Sequence, residues 1–345
     1  VYYDLETSKR RPNPGFDAVV GNPPWVNIGR VAGNEETVTY AKRNFSSAEY
    51  QIDLYILFLE QGMKLLQNKA VLGQIVPDPW LGNFRTPKIR EMLLVKNQPL
   101  QLMKTPMSVF EGVGAEHLIA LIRKSDRCQE RFKKGKIDNS GSVKRYDWFS
   151  CDLLREEDEY VVYSSREAAD VIKQTEKESE KLGSLYPTVR GVGPYHHSVQ
   201  DDEVINSRAY HADHNKDETF VPELKGKHLG RYIYEWEEDT WISYGDWLAE
   251  PREKRFFQGK RLLLREILGD RFKACVLDKE FIVDRGIYIA LQNGQKIDLY
   301  YTLSLAGSSL LIFWFQEKYS EKDELFPKLR VAHFNNLPIR DIPFT

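Results

Sequence analysis

Asn22-Pro23-Pro24-Trp25 gathers an amide, carbonyl oxygens and a flat aromatic ring in one short stretch. Two successive prolines fix two φ angles and remove two backbone donors, so neither helix nor ladder continues and nearby carbonyls stay free. The Asn22 side-chain oxygen and the Pro23 carbonyl can each accept one hydrogen of an exocyclic amine, while Trp25 covers the face of the ring that carries it. Accepting both hydrogens turns the nitrogen lone pair out of conjugation and toward an incoming electrophile. The amine becomes nucleophilic through position and electrostatics, without a strong base.

Such a turn needs a rigid element to hold it. Residues 16–20 (FDAVV) are a short apolar run rich in β-formers, followed by Gly21 and the prolines. The pattern predicts a buried strand that ends abruptly in the turn. Ligands bind at that end of a strand in α/β sheets. By itself the tetrapeptide is equally compatible with a tight loop and an exposed Trp. With its strand, Asn22-Pro23-Pro24-Trp25 resembles the catalytic tetrapeptide of S-adenosylmethionine-dependent amino-methyltransferases, most closely those that make N6-methyladenine in DNA.

Residues 26–50 mix Gly, Asn, Glu and Ser with scattered aromatics and predict a mobile loop over the site, with a short helix near 35–43. In residues 51–67, Ile52, Tyr55, Ile56, Leu59, Met63 and Leu66 recur every three or four positions, giving a helix with one buried stripe. A strand over 70–76, a rigid turn at Pro77-Asp78-Pro79-Trp80, a helix over 87–94 and strands over 100–104 and 117–123 follow. This alternation is half of a doubly wound α/β domain. Asp53-Leu54-Tyr55, Val76-Pro77-Asp78-Pro79-Trp80 and Val109-Phe110-Glu111-Gly112 stand at the spacing of γ-class N6-adenine DNA methyltransferases, and the resemblance covers residues 15–124. It implies that Phe110 closes over the target base from the side opposite Trp25. Tyr55 is read as packing, and Trp80 as either packing or site.

The charge-rich residues 125–150 read as a solvated hairpin loop rather than a phosphate-tracking patch. An acidic segment near 155–160 and a surface helix over 164–182 link to a second domain. There, short strands are predicted at 231–234, 241–243, 261–265, 273–276, 281–283 and 287–291, then an apolar helix over 299–315. Leu224-Lys225-Gly226-Lys227 before Tyr232, the basic strand 260–265 and the terminal Leu337-Pro338-Ile339 resemble the TaqI-like C-terminal specificity domain. The expected fold class is α/β, the C-terminal half of a Rossmann-like methyltransferase sheet followed by an α+β target-recognition domain. The divisions fall at 1–150, 151–182 and 183–345. Arg190, Lys225, Lys227, Arg265, Arg271 and Lys273 are the candidate DNA contacts.

A chain of 345 residues is long enough for two cores. A net charge of −2 excludes a uniformly basic DNA-binding module but leaves room for a positive cleft. No apolar run approaches a membrane span. Cys128, Cys151 and Cys275 have neither CxxC nor metal-ligand spacing and read as reduced thiols of a cytoplasmic protein. His196-His197 and His211-Ala212-Asp213-His214 read as solvated loops, so no metal is expected.

The resemblance implies S-adenosylmethionine as cofactor, with its main site upstream of the Asn-Pro-Pro turn. No glycine-rich cofactor loop precedes the turn and the chain opens on Val1, so it is read as the C-terminal fragment of a larger polypeptide. The implied partners are double-stranded DNA and that N-terminal part. The setting is a restriction–modification or phage-exclusion enzyme of type IIG character, sometimes fused to an endonuclease. Three rivals stay open. A non-catalytic DNA-specificity module keeps the same scaffold, a protein-glutamine N5-methyltransferase uses the same amine chemistry, and a cytosine-N4 enzyme more often carries Ser in place of Asn22.

Overall fold

The structure, a computed structural model, describes all residues except 1, 4–5, 32, 50–51, 84, 111–115, 129–130, 156–159, 295–296, 320–327 and 343–345. The expected features at Glu111-Gly112 and in the acidic residues 156–159 lie outside the described residues. The chain divides into two units, residues 1–170 with 317–320 and residues 171–316 with 321–345.

The first unit is built on a six-stranded sheet of order β1-β2-β4-β3-β5-β6. Its strands are β1 (Phe16–Gly21), β2 (Leu66–Pro77), β3 (Gln98–Lys104), β4 (His117–Arg123), β5 (Arg131–Ile137) and β6 (Val143–Ser150). β1 runs parallel to β2, β4 is antiparallel to both β2 and β3, and β5 joins β3 in parallel. The carboxyl ends of β1, β2 and β3 therefore share one edge of the sheet with the start of β4. Gly15 launches β1 at φ +136°, where a Cβ would come within 2.4 Å of the Gln67 backbone nitrogen, so only glycine fits.

β1 is not the buried strand expected from its composition. Among the described residues it pairs only with β2, and Phe16 and Val20 are 41% and 83% exposed. The burial instead lies in β2 and β4, where Leu72, Val76, Ala120 and Ile122 are inaccessible. Helix α1 (Glu35–Asn44) precedes α2 (Leu54–Leu65), which packs its stripe of Tyr55, Ile56, Leu59 and Met63 inward and ends where Leu66 turns extended.

Residues 26–50 are not a loose loop either. Ile28, Ala41, Ile52 and Leu57 form a small core of their own, with Val38, Phe45 and Leu54 against it. The buried Glu60 carboxylate secures this segment by accepting from the Ser46 and Ser47 amides at 3.1 and 2.8 Å. Burial works to raise the Glu60 pKa, but Lys64 and the Ser47 and Ser46 donors outweigh it and hold it below the ordinary value. A depressed carboxylate stabilises the fold above its unfolded pKa, and the contribution is lost as pH falls through the folded value. Glu60→Leu is expected to lower stability by about 1–3 kcal/mol near neutrality, by orphaning two amides. Urea melts should show that difference shrinking as the medium becomes acidic.

The helix expected over 87–94 is present as Pro87–Arg90 continued by a π-helical turn, Glu91–Val95. The charge-rich segment is the expected hairpin, exposed along most of β6, but β5 also pairs with β3 and joins it to the sheet. Phe132 and Phe149 are buried beneath it, and Lys134 donates to the Val162 and Tyr163 carbonyls. Cys128 and Cys151 flank the hairpin, which brings their Cα atoms to 5.9 Å, and they form a disulfide, correcting the reading of both as thiols. Cys275 is a buried free cysteine. The surface helix over 164–182 is shorter than expected. Arg166–Glu176 is helical, and Glu178, at φ +60°, turns the chain into β7 (Ser179–Lys181).

The second unit contains two four-stranded sheets, of order β14-β10-β11-β9 and β13-β12-β15-β8. The first uses β9 (His211–Ala212), β10 (Phe220–Leu224), β11 (Trp241–Ser243) and β14 (Ile282–Val283). The second uses β8 (Thr188–Arg190), β12 (Arg261–Arg265), β13 (Ala274–Leu277) and β15 (Ile287–Leu291). Leu224, Ile242, Leu263, Val283 and Ile289 join them in one apolar core. β16 (Pro338–Arg340) pairs with β7. No strand forms at 231–234, because Tyr232 takes a left-handed φ of +72°. The long apolar helix is two, Leu299–Ala306 and Ser309–Tyr319. They break at Gly307, where a Cβ would strike the Tyr232 hydroxyl and the carbonyl is taken by Arg231.

Candidate functional site

Asn22 follows the last residue of β1, so the turn sits at the sheet edge where three strands end. The Asn22 side chain is exposed and makes no hydrogen bond among the described residues, whereas Pro23 is buried. The turn is pinned from behind. The Leu54 amide donates to the Val26 carbonyl and the Ile28 amide to the Ile52 carbonyl, each at 2.9 Å. The start of α2 thus fixes the turn, which explains why Asp53-Leu54-Tyr55 accompanies it in sequence.

Trp25, Phe110 and His117 form one aromatic group. Trp25 and Phe110 meet edge to face, with centroids 4.9 Å apart and planes at 81°. His117 lies 5.5 Å from Trp25 and 5.0 Å from Phe110. The sequence resemblance implies Trp25 and Phe110 on opposite sides of a base; here the two rings are in direct contact with each other. Tyr55 is 6% exposed, its pKa raised by burial and by Asp53 and Asp78, and Trp80 is fully buried. Both are packing residues.

Beneath this group Lys104, at the end of β3, bonds to Asp78 at 2.6 Å and to Glu116. Burial pushes the Asp78 carboxyl up, whereas Lys104 outweighs burial at Glu116 and holds that carboxyl down. The triad ties β2, β3 and β4 together at the edge that carries Asn22. Sequence reading missed His117 and this triad because each member stands alone in sequence. The only available signal was a histidine opening an otherwise apolar strand.

The candidate DNA contacts of the second unit divide into two sets. Arg190 bonds to Glu266 at 2.5 Å, Lys225 pairs with the buried Glu223 at 3.2 Å, and Lys227 pairs with Asp239 at 2.9 Å. Arg265, Arg271 and Lys273 have no ion-pair partner among the described residues. His211 is not in a solvated loop. It lies in β9 with Nε2 3.4 Å from Glu223 and Nδ1 2.9 Å from the Tyr195 hydroxyl. Nearby, burial, with Glu223 adding to it, pushes the Asp284 carboxyl up to about 6. No group of side chains able to hold a metal ion occurs among the described residues. Among them no helix is long and apolar enough to cross a membrane.

Residues 3–110 match the family model of the Eco57I restriction-modification methylase, and residues 221–339 that of the TaqI-like C-terminal specificity domain. The chain is 23% identical, over 94% of its length, to the candidate type II restriction enzyme and methyltransferase RM.MjaORFECS2P of Methanocaldococcus jannaschii, and spans 27% of that protein. It is 24% identical, over 50% of its length, to the type II restriction enzyme and methyltransferase RM.Eco57I of Escherichia coli, spanning 18% of it. Among solved structures, the type IIL restriction-modification enzyme MmeI in complex with DNA shares the fold. The TM-score is 0.58 at 12% identity, over 92% of this chain and 46% of that one.

Proposed function

From a chain that joins an Eco57I-type restriction-modification methylase segment to a TaqI-like specificity domain, we propose that the longer polypeptide carrying it methylates the N6 amine of adenine at a specific DNA sequence, the chain alone being inactive. The observation that carries this reading is the unpartnered Asn22 amide at the end of β1, beside the Trp25–Phe110 pair. An adenine inside a duplex cannot reach Asn22, so it leaves the stack and enters the site. Asn22 and the Pro23 carbonyl accept the two amine hydrogens, and Trp25 and Phe110 hold the ring.

S-adenosylmethionine, when bound, supplies the methyl group as an electrophilic sulfonium. The donor set of this chain fits the amine-acceptor half of that reaction: an exposed amide at the strand end with the β1 edge open beside it. No residue of this chain is assigned to holding the cofactor. Unpaired among the described residues, the far edge of β1 also supports the view that the sheet is half of a Rossmann-like methyltransferase domain, completed by another part of the same polypeptide. The second unit selects the site through base-edge and phosphate contacts. Arg265, Arg271 and Lys273 are the cations best placed to make them, being without partners here.

Base-resolved sequencing of DNA from cells expressing the polypeptide that carries this chain is expected to find N6-methyladenine at one short recurring sequence. Cytosine N4 methylation there, a methylated protein glutamine with unmodified DNA, or DNA binding without any methylation overturns the reading in favour of one rival each.

A further inference from the structure

His117 is fully buried, yet its Nε2 has no hydrogen-bond partner among the described residues. An orphaned polar atom inside a protein is costly, and one that persists calls for a reason. Its other nitrogen is occupied. Nδ1 is in hydrogen-bond contact with the Thr105 hydroxyl, on the strand end next to β4. The ring between these two nitrogens touches both Trp25 and Phe110.

The Thr105 contact admits the tautomer with the ring proton on Nε2. The Thr105 hydroxyl has one proton and two acceptors in reach, His117 Nδ1 and the His117 carbonyl at 3.1 Å. That carbonyl also accepts from the Thr105 amide at 3.0 Å; when the hydroxyl gives its proton to Nδ1 instead, the ring proton is left on Nε2. Burial lowers the His117 pKa although Glu116 opposes it, which favours the neutral imidazole. With the ring proton on Nε2, the orphan is a donor.

We propose that His117 is a base-contacting residue: its Nε2–H donates to a ring nitrogen of the extruded adenine held between Trp25 and Phe110, with Thr105 fixing the tautomer. The chemistry is complementary to that of the turn. Asn22 and Pro23 offer only acceptors, which match the two amine hydrogens, while adenine's ring nitrogens are acceptors that need a donor. His117 supplies that donor without competing for the amine. The assignment rests on the adenine reading of the site and deepens it.

The test uses the polypeptide that carries this chain and a duplex containing its mapped site, with the target adenine replaced in turn by 1-deaza-, 3-deaza- and 7-deazaadenine. For the unaltered protein, one of the three is expected to lower kcat/KM about tenfold, the others much less. His117→Phe keeps the ring and removes the donor. It is expected to lose about the same factor on adenine and to show no further loss on that one analogue. Thr105→Val, at a half-buried position, is expected to lose less on adenine and to blunt the same analogue's effect, which serves if His117→Phe does not fold. Equal rates on all three analogues with the unaltered protein, or losses that multiply in both variants, overturn the proposal while leaving adenine methylation intact. Absence of transfer to adenine by the unaltered protein overturns it together with the reading beneath it.

Discussion

Asn22→Ala, made in the polypeptide that carries this chain, is expected to lower methyl transfer about a hundredfold or more while DNA binding survives. In the proposed reaction the side-chain oxygen accepts from the amine that gains positive charge as the methyl arrives, so its removal should act on the transition state more than on binding. The fold should not suffer. Asn22 is exposed and bonds to nothing among the described residues, and the turn is held by Val26, Ile28 and Pro23 behind it. Trp25→Ala should act differently. It removes a stacking face worth about 1–3 kcal/mol per base and also breaks the contact with Phe110 and His117, so the loss falls on the grip of the base. Single-turnover transfer and gel-shift binding on one duplex separate the two effects. Equal, mild losses from both changes would mean that the tetrapeptide is only a loop.

Exchanging residues 183–345 for the matching segment of a relative with another target is expected to move the methylated sequence completely, with the chemistry unchanged. On the proposed reading the catalytic edge holds any extruded adenine, since Asn22, Pro23, Trp25 and Phe110 would all act on the base itself. Its neighbours must be read by groups elsewhere, and each bidentate base contact gives roughly 1–3 kcal/mol of discrimination. Within the exchanged segment, Arg265→Ala or Arg271→Ala should relax a single position. Lys227→Ala, which also releases Asp239, should weaken all sequences alike and flatten the salt dependence. Sequencing of modified adenines from cells carrying the chimera decides it. An unchanged site would place sequence reading outside this unit.

Local sequence determined a good deal. β4 and β15 occur over the residues that their apolar runs mark, and α2 buries the stripe that its three-and-four spacing traces. The Asn22-Pro23-Pro24-Trp25 turn stands at a strand end because two prolines cannot extend a ladder. These are consequences of periodicity and backbone chemistry within a few residues, and a linear reading reaches them.

What depended on neighbours was decided only in three dimensions. The residues of β1 look buried by composition, but burial depends on what packs and pairs around them, and among the described residues only β2 pairs with it. Charged residues 131–137 look solvated, yet parallel pairing with β3 draws them into the sheet and places Lys134 on the Val162 and Tyr163 carbonyls. The same hairpin closes Cys128 on Cys151. Gly307 breaks a helix because Tyr232, far away in sequence, occupies the space of its missing side chain. His117 is the clearest case. Its place against Trp25, Phe110 and Thr105 comes from the antiparallel return of β4 between β2 and β3, a pairing that no spacing along the chain encodes.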